Sequence, residues 1–158
     1  MQKITPCLWF DATAEEAVRF YISLFKNSKI DAIARYGEAG PGRAGSIMTI
    51  SYRLNGQQFL ALNGGPIFKF TPAISMIVNC ATQREIDSYW EKLSAGGQLS
   101  QCGWLQDKFG LSWQIVPSVL SQMMKSKDPK KTQRVMNAVL QMTKLDIKLL
   151  KQAYKGSL

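Results

Sequence analysis

Residues 101–117, with the sequence QCGWLQDKFGLSWQIVP, contain two tryptophans, a cysteine, a turn and an apolar segment. Segment 111–116 is rich in aromatic and β-branched residues, which is typical of a strand buried on both sides. Residues 107–110 predict a tight turn, and residues 104–107 predict a short strand that pairs through it. Three side chains of this hairpin are candidates for the wall of a ligand cavity: Trp104, Trp113 and Gln114.

The chain before this hairpin repeats one pattern of elements. Each half has a strand followed by a helix whose first turn carries a capping box, formed by Thr13 with Glu16 and by Thr82 with Glu85. Each half also ends in a hairpin turn that contains glycine, at Asn55-Gly56 before a predicted strand over 57–63 and at Phe109-Gly110. The repeat predicts an α+β fold of paired βαβββ modules, with the second module abbreviated. The predicted boundaries are about 1–66 and 70–117, within one domain of 1–117.

The remaining residues predict a C-terminal basic helical extension over 118–158. Asp128 is a predicted helix cap with Pro129 at the first helical position. The extension holds nine Lys and Arg and two acidic residues, a net charge of 9 − 2 = +7. Five of its basic residues are candidates for binding nucleic acid or an acidic partner: Lys125, Lys127, Lys130, Lys131 and Arg134. Aromatic residues are not interleaved with them, which disfavours nucleic acid and favours helices packed on the sheet or on a partner subunit.

Composition excludes several classes of function. The chain has no histidine, so it lacks the commonest general base and the commonest metal ligand. No apolar run approaches the length of a membrane span, and the first residues do not resemble a secretory signal. Cys7, Cys80 and Cys102 are an odd number of thiols at wide spacing, which favours reduced cysteines in a cytoplasmic protein. Convergence of the three as metal ligands or a redox centre is the less favoured alternative.

The glycine-rich loop 37–45 is a candidate phosphate cradle, but it joins two strands, whereas a phosphate loop runs from a strand into a helix. We therefore favour a lid or hairpin loop over a pocket. Residues 63–66, Asn-Gly-Gly-Pro, also lack a following helix. The sequence thus shows no dinucleotide or S-adenosylmethionine site.

The predicted first strand, over 4–10, supplies two more candidates for the ligand cavity, Cys7 and Trp9. Alternation places them on one face and Leu8 and Phe10 on the other. Core packing is the alternative for each aromatic candidate. For Gln114 the alternative to ligand binding is a structural hydrogen bond. Asp107 and Lys108 are a possible acid/base pair, although their turn favours solvated charges.

Several motifs carry a family resemblance: WFD at 9–11, LNGGPIFKFTPAISMIVNC at 62–80 and CGWLQDKFGLSWQIVP at 102–117. With the two modules, they resemble the PhnB-like family of the vicinal oxygen chelate superfamily, which includes glyoxalase I and the bleomycin and fosfomycin resistance proteins. Many similar sequences are called 3-demethylubiquinone-9 3-methyltransferase. The residues that follow Asp128 resemble a tail that accompanies this branch.

The resemblance implies a divalent metal held by His and Glu on the first and last strands of each module. Here the closing glutamate positions, four residues after the turn glycines, are Leu60 and Gln114. No metal site and no cofactor are therefore expected. The sequence predicts a cytoplasmic homodimer that binds a small organic molecule in an apolar cavity without metal. The alternatives are an enzyme of this superfamily, including the named methyltransferase, and an interaction or nucleic-acid-binding protein that uses the basic tail.

Overall fold

The computed structural model describes residues 2–157. The chain forms two compact units that divide between Phe70 and Thr71. The first unit contains one βαβββ module, in which β1 runs parallel to β4 and the sheet order is β1-β4-β3-β2. Its elements are β1 (Cys7–Phe10), α1 (Ala14–Leu24), β2 (Lys29–Arg35), β3 (Ile47–Leu54) and β4 (Gln57–Asn63).

Alternation along the strands gives the first sheet one buried face, on which α1 packs against β3 and β4. Leu8 and Phe10 are buried on this face, whereas Cys7 and Trp9 project from the opposite, open face. The predicted hairpin turn at Asn55 and Gly56 is confirmed, with φ values of 49° and 81°. Both residues adopt the positive φ that a type I′ turn requires.

The start of α1 differs from the prediction. Thr13 is the cap residue by position, but its side chain makes no capping hydrogen bond, so the predicted capping box with Glu16 is wrong. The amide of Ala14 instead donates to Asn63 Oδ1 at 2.9 Å. A side chain at the end of β4 therefore replaces the local cap.

The second unit contains the second module, with the sheet order β5-β8-β7-β6 and β5 parallel to β8. Its elements are β5 (Ser75–Cys80), α2 (Gln83–Ser94), β6 (Gln98–Leu99), β7 (Trp104–Gln106) and β8 (Ser112–Pro117). The capping box of Thr82 and Glu85 is complete, as predicted. β6 has two residues and β7 three, which is the predicted abbreviation. The α+β fold of two βαβββ modules is confirmed.

Three helices follow β8 in the second unit: α3 (Ser118–Met124), α4 (Pro129–Leu140) and α5 (Ile147–Lys155). Asp128 caps α4 as predicted, and Asp146 caps α5. The helices bury a small core of Met123, Val135, Val139, Leu145 and Leu150. None of the helices described over residues 2–157 is both long and apolar enough to cross a membrane.

Candidate functional site

The open face of the first sheet carries Cys7 and Trp9. The parallel register sets Cys7 beside Leu60 and Trp9 beside Leu62 on β4. The exposed Cys7 thiol has a raised pKa, because neighbouring atoms remove part of its hydration. It is therefore protonated at neutral pH and is a weak nucleophile.

Trp9 is held in one orientation by the segment after β4. Its indole Nε1 donates to the carbonyl oxygen of Gly65 at 2.8 Å, and its ring meets Phe68 edge to face with centroids 5.0 Å apart. A Cβ atom at Gly64 would overlap the Trp9 ring. The Asn-Gly-Gly sequence thus lets the backbone approach the indole closely, and Trp9 presents a fixed apolar surface beside Leu62.

The open face of the second sheet carries Trp104 and Gln114, which are direct cross-strand partners on β7 and β8. On the other side of Gln114 lies Ile77 of β5, in register and 57% exposed. Gln114 Nε2 donates to Ser75 Oγ at 2.8 Å. Among residues 2–157, no group donates a hydrogen bond to Gln114 Oε1. This acceptor lies between the indole of Trp104 and the side chain of Ile77 and is available to a ligand.

Trp104 also lines a concave pocket of about 220 Å³ in the second unit. Its half-buried ring shares this pocket with polar and apolar side chains of the same sheet and of the segment before it. The other named lining residues include Pro72, Leu99, Gln106 and Ser112. Both an apolar wall and hydrogen-bonding groups are therefore available at one end of the sheet.

Trp113 lies on the opposite, helix-covered face of β8 and is 3% exposed. Its Nε1 donates to Asp107 Oδ2 at 2.8 Å. Trp113 therefore packs in the core, which was the alternative to lining the ligand cavity. Asp107 is 2% exposed, and its Oδ1 accepts from the amides of Phe109 and Leu111 at 2.9 and 3.0 Å. The expectation of a solvated Asp107 is wrong, because this carboxylate organises the turn from within.

A polar cleft of about 480 Å³ in the first unit was not predicted as a site. Its centre is Asn63, which accepts from Ala14 and donates to the carbonyl of Ile47 at 3.1 Å. Tyr36 Oη donates to the Asn63 carbonyl at 2.6 Å. Loop 37–45 joins β2 to β3 and lines the cleft, which confirms the hairpin-loop interpretation. In the sequence, the signal that could have indicated this cleft is the Asn-Gly-Gly segment that follows an apolar strand.

The donor atoms of this chain do not fit the metal site that the resemblance implied. Within residues 2–157, no three His, Cys, Asp or Glu side chains come together as a set that could hold a metal ion. The first and last strands of each module pair with each other. At the positions of the implied metal ligands, these strands carry Cys7 and Leu60 in the first module and Ile77 and Gln114 in the second. The buried Cys80 has its pKa raised to about 11 by desolvation and by the charge of Glu85. A thiolate ligand at that position is disfavoured.

Comparison with known proteins agrees with this architecture. The sequence profile of a family described as 3-demethylubiquinone-9 3-methyltransferase matches residues 2–116. The PhnB protein of Bacillus cereus is 42% identical, with a TM-score of 0.68, and the alignment covers 73% of this chain and 99% of that chain. No curated protein matches the chain.

Two more distant structures share the fold. A protein from Pseudomonas aeruginosa is 20% identical over 74% of this chain and 98% of its own, with a TM-score of 0.61. The fosfomycin resistance protein of Listeria monocytogenes, solved with manganese(II) and sulfate, is 13% identical over 79% of this chain and 98% of its own, with a TM-score of 0.54. With two βαβββ modules and a profile match over most of its length, the chain belongs to the 3-demethylubiquinone-9 3-methyltransferase family and is PhnB-like.

Proposed function

We propose that this protein binds a small organic molecule on the open sheet faces, without a metal ion. The observation that carries the proposal is the group around Gln114. An indole from Trp104 and an aliphatic side chain from Ile77 lie on either side of an amide whose Oε1 accepts nothing within the described chain. A planar or branched apolar ligand with one hydrogen-bond donor complements this arrangement.

Metal independence is supported by chemistry rather than by geometry alone. Divalent ions such as manganese favour carboxylate, imidazole and water ligands. The four side chains on the paired first and last strands are a protonated thiol, two aliphatic chains and an amide, at Cys7, Leu60, Ile77 and Gln114. This set of side chains is a poor match for a manganese ion such as the one in the Listeria structure, which supports binding without metal.

Binding is favoured over methyl transfer, the activity in the family description. Methyl transfer from S-adenosylmethionine needs a cofactor site, and neither glycine-rich segment of this chain leads from a strand into a helix. The chain also supplies no histidine to act as a general base near Trp104 and Gln114. A binding role therefore fits the side chains present better than a catalytic one.

The test is native mass spectrometry with metal analysis on gently purified protein. We expect an organic mass without stoichiometric metal, and we expect Gln114→Leu and Trp104→Ala to lose that mass. Gln57→Leu is the matched control, because Gln57 is an exposed strand glutamine outside this group. One equivalent of metal per chain, or equal ligand retention in all three variants, would contradict the proposal.

We further propose that the protein is a homodimer in the reducing cytoplasm. Each unit exposes large apolar side chains, including Ile33 and Phe68 in the first and Ile74 and Leu99 in the second. Such side chains indicate surfaces that become covered on association. The three cysteines are free thiols, as a reducing compartment favours. Light scattering coupled to size exclusion should give twice the 17.7 kDa chain mass, and a monomer at micromolar concentration would contradict the dimer.

A further inference from the structure

The helical tail has a surplus of positive charge that the described chain does not neutralise. Among residues 2–157, six of its lysines form no ion pair and no side-chain hydrogen bond: Lys125, Lys127, Lys130, Lys148, Lys151 and Lys155. The two acidic residues of the tail are both occupied as helix caps, since Asp128 accepts from the amide of Lys130 and Asp146 from the amide of Leu149. The tail therefore presents a net positive charge that its own carboxylates do not offset.

The other three cations of the tail hold it together. Arg134 donates to the carbonyls of Ala153 and Tyr154 at 2.8 and 2.9 Å, which ties α4 to the end of α5. Lys131 lies over the Tyr154 ring at 5.1 Å. Lys144 pairs with Asp87 of α2 at 2.6 Å. Within residues 2–157, the six remaining lysines make no such contacts, so they do not hold the tail together.

An apolar groove of about 530 Å³ runs between α4 and α5. Four apolar side chains line it: Ala138, Met142, Leu149 and Ala153. Leu149 is 39% exposed, although its helical spacing predicts a core position, and the neighbouring Leu150 is fully buried instead. Leu149 is therefore partly exposed at the groove and is not one of the buried residues that form the core of the tail.

Lysines flank this groove on both helices. Lys130 lies one turn before Arg134, a groove residue on α4. On α5, Lys148 and Lys155 line a second concavity of about 750 Å³ together with Lys151 and the start of α2. Residues 149 and 153 face the first concavity and residues 148, 151 and 155 the second. The apolar strip and the basic strip therefore border each other along α5, since Lys148 precedes Leu149 and Lys155 precedes Gly156.

We propose that this surface binds an acidic amphipathic helix of a partner protein. Apolar side chains spaced by three and four residues would fill the groove, and carboxylates on the flank of the same helix would reach the lysines of α5 and Lys130. Nucleic acid fits less well. It has no apolar side chains for the groove, and Lys131 lies over one face of the Tyr154 ring, where a base would otherwise stack.

The partner site is separate from the proposed ligand site. The family profile ends at residue 116, and the PhnB protein of Bacillus cereus is covered over 99% of its length while 100 − 73 = 27% of this chain lies outside the alignment. The groove lies wholly on α4, α5 and the residues that follow each of them. Loss of partner binding would therefore leave ligand retention by Trp104 and Gln114 unchanged.

The test uses fluorescence anisotropy with a labelled synthetic peptide of about 16 residues, with leucine at helical spacing of three and four and glutamate elsewhere. We expect a Kd below about 100 µM, weakened at least about tenfold when salt rises from about 50 to 300 mM. The variants Leu149→Asn and Lys148→Glu with Lys155→Glu should each weaken binding about tenfold or more. Leu149 is half exposed, so its replacement leaves the tail folded, which circular dichroism checks.

Lys92→Glu on α2 is the matched control for charge, and Leu99→Asn is the matched control for an exposed leucine. Neither should change peptide affinity. A single-stranded oligonucleotide of about 20 bases is the competing probe. No peptide binding at about 1 mM, or binding that depends on the lysines but not on Leu149 and is matched by the oligonucleotide, would overturn the proposal.

Discussion

The two modules have the same order of elements but treat their buried polar groups differently. In the second, the buried Asp107 carboxylate accepts from two amides and from the Trp113 indole. In the first, the Tyr52 hydroxyl is buried, and no group within residues 2–157 forms a hydrogen bond with it. One module thus uses its buried polar group to fix a turn, whereas the other tolerates an unpaired one. A shared architecture does not require shared anchoring contacts.

The two modules also differ in whether local or distant residues fix their helix starts and their hairpin turns. In the first module the turn is local, because Asn55 and Gly56 both adopt positive φ, while α1 starts with the help of the distant Asn63. In the second module α2 starts with a local capping box. Its hairpin turn has one positive φ, at Gly110, and depends on the buried Asp107. Each module therefore has one locally encoded anchor and one that depends on the fold.

The largest effect is expected for Asp107→Ala. This change removes three hydrogen bonds and leaves the indole N–H of Trp113 and two backbone amides without their acceptor in a buried site. Each unsatisfied donor is costly, so we expect the free energy of unfolding to fall by about 4 kcal/mol. Denaturant unfolding followed by tryptophan fluorescence measures it. Trp113→Phe removes one of the three bonds and should cost less, about 2 kcal/mol.

The next effect is expected for Asn63→Ala in the first module. It removes the acceptor of the Ala14 amide and the donor to the Ile47 carbonyl. We expect a loss of about 2 kcal/mol in the free energy of unfolding. Asn79→Ala is the control, because Asn79 is exposed on β5 and should lie within about 0.5 kcal/mol of the parent. Equal costs for the two asparagines would show that α1 does not depend on Asn63.

The paired threonines give the sharpest contrast between the modules. Thr82→Ala removes a capping side chain that accepts from the Glu85 amide at 3.2 Å and should cost about 1 kcal/mol. Thr13→Ala removes a side chain that makes no such bond and should cost less than about 0.5 kcal/mol. Thermal unfolding of both variants measures the difference. A cost as large at Thr13 as at Thr82 would mean that the first helix uses its capping box after all.

These contrasts also show what the sequence could predict. Strand β4 and the helix caps Thr82 and Asp128 were predicted to the residue, because their signals are local: alternation, a tight turn and capping spacing. Predicted strand β1 began too early, since Ile4 is 83% exposed and unpaired in the sheet. The roles of Asn63 and Asp107 depend on groups distant in sequence or on burial, which spacing does not reveal. Trp113 and Gln114 are adjacent, so alternation puts them on opposite faces of β8, and the packing of α2 shows which face is the core.

Tyr52 provides the smallest stability effect and a distinct pH signature. Its ring stacks on Phe59 with centroids 5.5 Å apart, and its desolvated hydroxyl makes no hydrogen bond with the part of the chain that the structure describes. Tyr52→Phe keeps the ring and removes the unpaired hydroxyl, so we expect stability at neutral pH to stay within about 0.5 kcal/mol or to rise by up to about 1 kcal/mol. A buried tyrosine with a partner would instead lose stability on this change.

The same variant should differ from the parent in alkali. Desolvation, and after it the charge of Cys7, raises the pKa of Tyr52 above its unfolded value of about 10. A group whose pKa is raised by folding contributes stability that is complete below its unfolded pKa and is lost as pH rises above it. The parent should therefore lose stability more steeply than Tyr52→Phe above about pH 10. Parallel pH profiles of the two proteins in denaturant unfolding would show that the Tyr52 hydroxyl is hydrated or paired in solution, and the contrast with Asp107 would then disappear.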